Sequence, residues 1–189
     1  MHNISITSLL VSSFLHSPYL STNANYTITT CHFSKFFPII FHQIPNLHLE
    51  KSYFSHTLSN ILSISNPILK ENCDTLEPID KELIIKGCEF KKVFSLSTSL
   101  MELVKIEISS CLFDEIQGIL IDYAFWSSSN TFDVIINRNC ISKWRSSSKL
   151  VGVANSDTSR KTNFSFDLNM IYQCQDTATS WNNQDLETG

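Results

Sequence analysis

The chain has 189 residues, 42% of them hydrophobic and 17% charged, a balance typical of a folded domain and not of a disordered one. Its net charge is −4 and its 14 lysine and arginine residues form no run, which argues against a nucleic-acid groove and a polybasic membrane patch. Abundant isoleucine, serine and phenylalanine beside four glycines favour β structure, and no stretch reaches the roughly 20 apolar residues of a membrane-spanning helix.

The opening apolar stretch, Ile4 to Leu15, is interpreted as folded structure. It has no basic residue before it and contains several serines, unlike a secretory leader. The repeat described below begins at Ile4, almost at the first residue. We therefore expect either that the chain starts partway along a longer array or that its capping coil is missing.

One spacing of apolar residues recurs along the chain: apolar-x-apolar-x-x-centre-x-apolar-x-x-apolar. In chain order its copies are centred on Leu9, Cys31, Ser52, Cys88, Cys111, Asn139 and Asn169. Of the 28 slots flanking these centres, 27 hold apolar residues, and Thr57 is the exception. Alternate residues of a strand face opposite sides, so the flanking slots should face one interior, with a bend at each centre. The residues expected inside, on adjoining parallel strands, include Ile28, Ile85, Ile108 and Ile136.

The spacing between centres predicts a solenoid. The steps are 22, 21, 36, 23, 28 and 30 residues, one coil length with insertions. Turn formers and charges in the widest step predict an insertion loop near residues 66–81, and second apolar runs at 39–41, 61–64, 119–121 and 150–153 predict short second strands. We predict a single array over residues 1–176 and a flexible polar tail over 177–189.

The copy Ile106, Ile108, Cys111, Phe113 and Ile116, followed by Gly118-Ile119-Leu120-Ile121, resembles the coils of right-handed parallel β-helix proteins of the pectin-lyase-like type. The likeness covers most of residues 4–176 and is greatest to the large β-helix surface proteins of parasitic protists. It implies an all-β right-handed parallel β-helix of about seven coils. It also implies a structural or adhesive role, without enzymatic activity or cofactor, at the cell surface or outside the cell, with glycans or proteins as partners. The chain departs from such coils in having few glycines where they often turn.

The same spacing also fits the strand segment of a leucine-rich repeat. Leu103-x-x-Ile106-x-Ile108-x-x-Cys111-x-Phe113 follows that pattern. The other copies mostly lack the leading residue, and the segments after them are β-branched or serine-rich instead of leucine-spaced. This alternative, a protein-interaction module, requires helices or 3₁₀ turns on the convex side of the repeat.

The residues in the central slots are predicted to stabilise the fold and not to bind a metal or another ligand. Cys31, Cys88 and Cys111 are expected to form a ladder of small buried thiols, and parallel Cβ vectors disfavour disulfides between them. Asn139 and Asn169 replace cysteine where an amide can bond turn backbone and its stacked neighbour. Four histidines, His32, His42, His48 and His56, show no recurring ligand spacing and are interpreted as exposed polar positions.

A carbohydrate-active enzyme, a polysaccharide lyase or glycosidase on the same fold, is the alternative function. It would need acidic residues that converge across successive coils. The residues available are Asp114, Glu115, Asp122, Asp133 and Arg138, and no Asp-Asp, Gly-His-Gly or Arg-x-Lys element accompanies them. We interpret them as solvated turn positions and assign no catalytic residue.

Two kinds of surface site are predicted. Asn3, Asn25 and Asn163 are N-glycosylation acceptors, each six residues before a centre, where a polar turn should enter the strand. Phe125 and Trp126 precede a serine-rich stretch and are predicted to form an exposed aromatic pair that could face a ligand, whereas Trp144 fills an inward slot and should pack in the core.

Overall fold

The computed structural model describes residues 2–12, 24–37, 39–42, 44, 46–64, 81–100, 103–118, 121–125, 131–146, 151–155 and 161–176. All regular elements within these ranges are β-strands, and none is a helix. The predicted insertion loop near 66–81 lies outside the described residues except for Lys81, and the predicted tail, 177–189, lies wholly outside them.

The strands are short and follow the repeat. The first nine are β1 (His2–Thr7), β2 (Leu10–Ser12), β3 (Ala24–Thr29), β4 (His32–Ser34), β5 (Phe41–His42), β6 (Leu47–Glu50), β7 (Tyr53–Ile64), β8 (Lys81–Lys86) and β9 (Glu89–Leu100). The others are β10 (Leu103–Ser109), β11 (Leu112–Asp114), β12 (Ile121–Phe125), β13 (Thr131–Asn137), β14 (Cys140–Ser142), β15 (Arg145–Ser146), β16 (Val151–Asn155), β17 (Lys161–Asp167), β18 (Met170–Tyr172) and β19 (Gln175–Asp176).

The first sheet takes one strand from each copy of the repeat. Its seven strands run in the order β1-β3-β6-β8-β10-β13-β17, and every neighbouring pair is parallel. Identical slots lie side by side, so that Ile108 is opposite Ile85 on one side and Ile136 on the other. The frame deduced from the sequence is therefore the register of the sheet.

A second parallel sheet is built from the strands that follow the centres. Seven of its ten strands run in the order β18-β14-β11-β9-β7-β4-β2, and β5, β12 and β16 extend it beyond the second corner of the chain. The predicted second strands overlap β5, the later half of β7, β12 and β16. The overlap is a single residue at β5, which begins at Phe41, and at β12, which begins at Ile121. The chain thus forms strands where the convex side of a leucine-rich repeat would need helices or 3₁₀ turns.

The interior contains like residues over like, as predicted. Ile28, Ile85, Ile108 and Ile136 have no exposed surface. Phe33, Phe54, Phe90 and Phe113 form one stack with ring centroids 5.1, 5.0 and 4.8 Å apart and planes within 8° of parallel. This spacing matches the distance between hydrogen-bonded strands, so each ring contacts the ring of the neighbouring copy.

Some slots predicted to be inward are exposed in the first and last copies. Ile4 and Leu9 are 37% and 40% exposed, and Phe166 and Ile171 are 36% and 38% exposed. The strands that carry or adjoin them are the outermost strands of the sheets, with a neighbour on one side only. A slot is buried by the copies above and below it, so the pattern alone overestimates burial there.

Within the described residues the chain bends at a first corner in seven copies and at a second corner in six, and both bends use left-handed backbone. The first lies just before the centre, at Ser8, Thr30, Lys51, Gly87, Ser110, Arg138 and Leu168. The second lies just before the last inward slot, at Lys35, His56, Lys92, Glu115, Lys143 and Gln173. Their φ values lie between 47° and 61°, and Gly87 is the only glycine among them. The scarcity of glycine therefore reflects corners made by other residues.

Candidate functional site

The asparagine centres of the sixth and seventh copies stabilise the neighbouring backbone. Asn139 Nδ2 donates to Ile108 O at 3.0 Å, and Asn139 Oδ1 accepts from Cys111 N at 2.9 Å. Asn139 Nδ2 also lies 3.0 Å from Asn169 Oδ1. The prediction that these amides bond turn backbone and each other is confirmed. They serve the fold, because their polar atoms are used within the stack.

The central cysteines are buried thiols, as predicted. Cys31, Cys88 and Cys111 are at most 2% exposed and free. Cys111 Sγ donates to Ser109 O at 3.3 Å, and Cys31 Sγ donates to Thr29 O at 3.4 Å. The hydrogen bond to the Cys88 thiol and burial both raise the pKa of Cys111, which keeps it in the unreactive thiol form.

The glycosylation acceptors lie on the outward side of the first sheet. Asn3 and Asn25 are the second residues of β1 and β3, and Asn163 is the third residue of β17. All three lie inside strands and not in the predicted turns. Asn25 Nδ2 donates to Asn3 Oδ1 at 2.9 Å, Asn46 Nδ2 donates to Asn25 Oδ1 at 2.9 Å, and Asn163 Nδ2 donates to Asp133 Oδ1 at 2.7 Å. The prediction of a polar turn at these asparagines is therefore wrong. All three lie within strands that pair with the strands of neighbouring copies.

Asn3, Asn25 and Asn46 form an amide ladder, which borders a shallow groove of about 370 Å³. His48 and Glu82 stand at its far end, with His48 Nε2 3.8 Å from Glu82 Oε2. His48 and His32 are both half-buried, and the His32 ring meets the Tyr53 ring edge-on at 4.5 Å. Within the described ranges no three histidine, cysteine or acidic side chains come together as metal ligands.

The acidic residues considered for catalysis are distributed over both sheets. Asp114 is in β11 of the second sheet and Glu115 at the corner after it, whereas Asp133 is in β13 of the first sheet. Asp122 is in β12, and its side chain lies outside the described residues. Asp114 and Asp133 therefore lie on strands of different sheets.

Asp114 is instead part of an ion-pair cluster at the second corner. Its Oδ1 accepts from Ser142 Oγ at 2.8 Å and lies 3.4 Å from Lys143 Nζ, which is 3.5 Å from Glu115 Oε1. Burial would raise the pKa of Asp114, but the hydrogen bonds from Ser142 and Lys143 outweigh it and lower the pKa. The same pairing raises the pKa of Lys143. Both groups are charged at neutral pH and hold neighbouring copies together.

The predicted aromatic pair falls mostly outside the described residues. Phe125 ends β12, while its side chain and the whole of Trp126 are not described. Trp144 is buried as predicted, and its indole Nε1 donates to Gly118 O at 2.7 Å.

Three exposed apolar residues at the second corner were not predicted from the sequence. Phe37, Leu58 and Phe94 each follow a buried slot, yet they are 64%, 67% and 42% exposed. The available signal was a basic residue two positions before each, in Lys35-x-Phe37, His56-x-Leu58 and Lys92-x-Phe94. The last two of these segments line a cleft of about 380 Å³.

No protein-family model matches the chain, and no curated protein or solved structure is significantly similar to it. Within the described residues there is also no helix long and apolar enough to cross a bilayer.

Proposed function

We propose that this chain is a non-enzymatic scaffold, a right-handed parallel β-helix of about seven coils, with a structural or adhesive role at the cell surface or outside the cell. The observation that supports it is the register. In both parallel sheets, equivalent slots of neighbouring copies lie opposite one another. A stack of this kind holds outward side chains in straight columns, which suits an extended binding surface.

The outward columns of the first sheet are occupied by interactions between copies. Asn3, Asn25 and Asn46 form the amide ladder. Farther along the sheet, Glu107 forms ion pairs with two lysines. Its Oε1 lies 2.6 Å from Lys86 Nζ, and its Oε2 lies 3.2 Å from Lys105 Nζ. Burial would raise the pKa of Glu107, but hydrogen bonds from both lysines lower it. These groups stiffen the stack, which favours a scaffold.

The separation of Asp114 from Asp133 favours the scaffold over the carbohydrate-active enzyme. Glycoside cleavage with two carboxylates needs both within one substrate-binding groove. In this chain one carboxylate is paired with Lys143 and the other with Asn163, on different sheets.

Two experiments test the proposal. A crystal structure should show right-handed coils, and a left-handed stack would contradict the architecture. The immobilised protein should retain intact cells, while incubation with a panel of neutral and acidic polysaccharides should release no reducing ends or unsaturated products. Product release that disappears in Asp114→Asn would establish the enzyme instead.

A further inference from the structure

The two ends of the stack are open edges of both parallel sheets. Among the described residues, β1 and β2 at one end and β17 and β18 at the other have a hydrogen-bonded neighbour on one side only. We call β1 with β2 the first end, and β17 with β18 the last end. Three of their inward slots, Ile4, Phe166 and Ile171, are between 36% and 38% exposed, whereas the equivalent slots of the middle copies are buried.

Neither end carries the features that usually keep sheet edges apart. Natural edge strands are protected by inward-pointing charges, prolines or bulges. In β1, β2, β17 and β18 there is no proline, and the flanking slots of the repeat hold no charged residue. The pairing of these strands with their neighbours shows no register shift. Both ends are therefore regular parallel edges that can accept a further strand.

The ends fit each other because they continue one repeat. One more step of about 4.8 Å beyond β17 and β18 is the position that β1 and β2 of another molecule would take. The inward slots that would then face one another are Ile4 and Phe164, Ile6 and Phe166, and Val11 and Ile171. Every such pair is apolar, so the joint removes apolar surface from water on both sides.

The outward amides give this fit a direction. Asn25 Nδ2 donates to Asn3 Oδ1, and Asn163 Nδ2 donates to Asp133 Oδ1, so that each copy donates to the one before it. Within the described part of the chain, Asn3 Nδ2 is then a donor without an acceptor, and Asn163 Oδ1 is an acceptor without a donor. Contact between a last end and a first end would bring this donor to this acceptor.

One slot does not match, which should make the joint weaker than a step inside the stack. Cys111 N donates to Asn139 Oδ1, and Asn139 N donates to Asn169 Oδ1, so these centres donate to the centre that follows. The centre following Asn169 across the joint would be Leu9, whose side chain has no acceptor. We therefore expect reversible association that needs a high protein concentration.

We infer that the partner at these ends is a second copy of this chain, stacked last end to first end in the same parallel register. A single extended peptide would pair with the edge of one sheet only, whereas another copy covers the edges of both sheets at once. Because each added molecule presents a new open end, the contact does not close and produces linear chains. The inference extends the proposed function, since stacking lengthens the scaffold and continues its outward columns.

The test is sedimentation velocity of the full, unglycosylated chain over a range of concentrations, in which the mean mass should rise with concentration. Ile4→Lys blocks the first end and Phe166→Lys the last end, because association would bury a lysine without a partner. Each variant alone should associate at least about tenfold more weakly than the unmodified chain. Their equimolar mixture should form dimers and nothing larger, since it offers one intact first end and one intact last end for each pair of molecules.

Leu112→Lys is the matched control, because Leu112 is as exposed as Ile4, at 37%, but lies in β11 in the middle of the second sheet. It should associate like the unmodified chain. Circular dichroism checks the folding of each variant, and Val11→Lys and Ile171→Lys replace one that unfolds.

Four results would overturn the inference: a monomer mass at every concentration, full association of either blocked variant alone, a mixture that stays monomeric, or equal weakening in the Leu112→Lys control. None of them involves polysaccharide turnover, which is the result that contradicts the proposed scaffold. The failure of the inference and the failure of the proposed function are therefore separate outcomes.

Discussion

The left-handed corner residues show how this chain bends without glycine. Non-glycine residues pay about 1 kcal/mol or more for this backbone, because Cβ crowds the following carbonyl. The corners persist because their N–H groups bond to the next copy, for example Ser110 N to Asn137 O at 3.2 Å. The repeated hydrogen bond between copies therefore offsets a repeated local strain.

Replacing one of these corner residues by glycine should stabilise the protein. Ser110 is exposed and has φ of 56°, so Ser110→Gly should raise the free energy of unfolding by about 0.5–1 kcal/mol. The adjacent Ser109→Gly, within β10, should lower it by a similar amount, because glycine is unfavourable in a strand. Urea unfolding followed by circular dichroism measures both, and changes of the same sign would contradict the strain argument.

Thr57 is the single polar residue among the flanking inward slots, and it is costly there. It is 2% exposed, lies opposite Val93, and its hydroxyl has no hydrogen-bond partner within the described structure. A buried hydroxyl without a partner costs about 1–3 kcal/mol in lost solvation. The threonine therefore reduces the stability of a column that is otherwise apolar.

Thr57→Val should accordingly raise the free energy of unfolding by about 1 kcal/mol, since valine keeps the shape and removes the hydroxyl. The control is Thr27→Val, at an exposed position of β3, for which a change within about 0.5 kcal/mol is expected. Thermal and urea unfolding of both variants give the comparison. A loss of stability in Thr57→Val would mean that the hydroxyl has a partner.

At the scale of the elements, ion pairs between strands supplement the backbone ladders. Glu107 of β10 joins Lys86 of β8 to Lys105 of its own strand, and its side chain is 16% exposed. Because its pKa in the folded chain is below the ordinary 4.5, folding favours the charged form. The stabilisation is present above pH 4.5 and disappears as the pH falls through the lowered pKa.

This sign gives a prediction for Glu107→Gln. At pH 7 the variant should unfold at lower urea concentration than the unmodified protein, because the neutral amide pairs less well with the two lysines. Below the lowered pKa the difference should shrink toward zero, because the glutamate is then protonated in the unmodified protein as well. A constant difference between pH 7 and pH 2 would exclude the ion pairs as its origin.

At the scale of the whole molecule, stability is shared between neighbouring copies. Phe90 is stacked between Phe54 at 5.0 Å and Phe113 at 4.8 Å, so it joins the early part of the stack to the later part. Each copy buries its inner face only against its neighbours, and contacts in the middle of the stack therefore support both sides.

Phe90→Ala should lower the free energy of unfolding by about 3–5 kcal/mol, because the cavity lies in a tightly stacked column. Phe94→Ala, four residues later in β9, removes a phenylalanine that is 42% exposed and should have a much smaller effect. Equal losses of stability would contradict the assignment of the two faces.

The sequence by itself determined the interior of the middle copies and the register in which their repeat slots pair. Inward and outward positions follow from the alternation of side chains along a strand, which is a local property of the chain. For this reason Ile28, Ile108 and Trp144 could be placed in the core from spacing alone. The left-handed corners were not predicted, because Lys51 or Ser110 reveals no special backbone until its neighbour supplies the hydrogen bond.

Only the tertiary structure decided which outward residues meet. Lys35, His56 and Lys92 are separated by 21 and 36 residues, and no basic run marks them in the sequence. Parallel stacking brings residues one copy apart to within one strand spacing, so basic residues that are scattered in the sequence become a column. Stacking likewise separates Asp114 from Asp133, and leaves Ile4 and Phe166 in solvent because burial depends on having a neighbour on both sides.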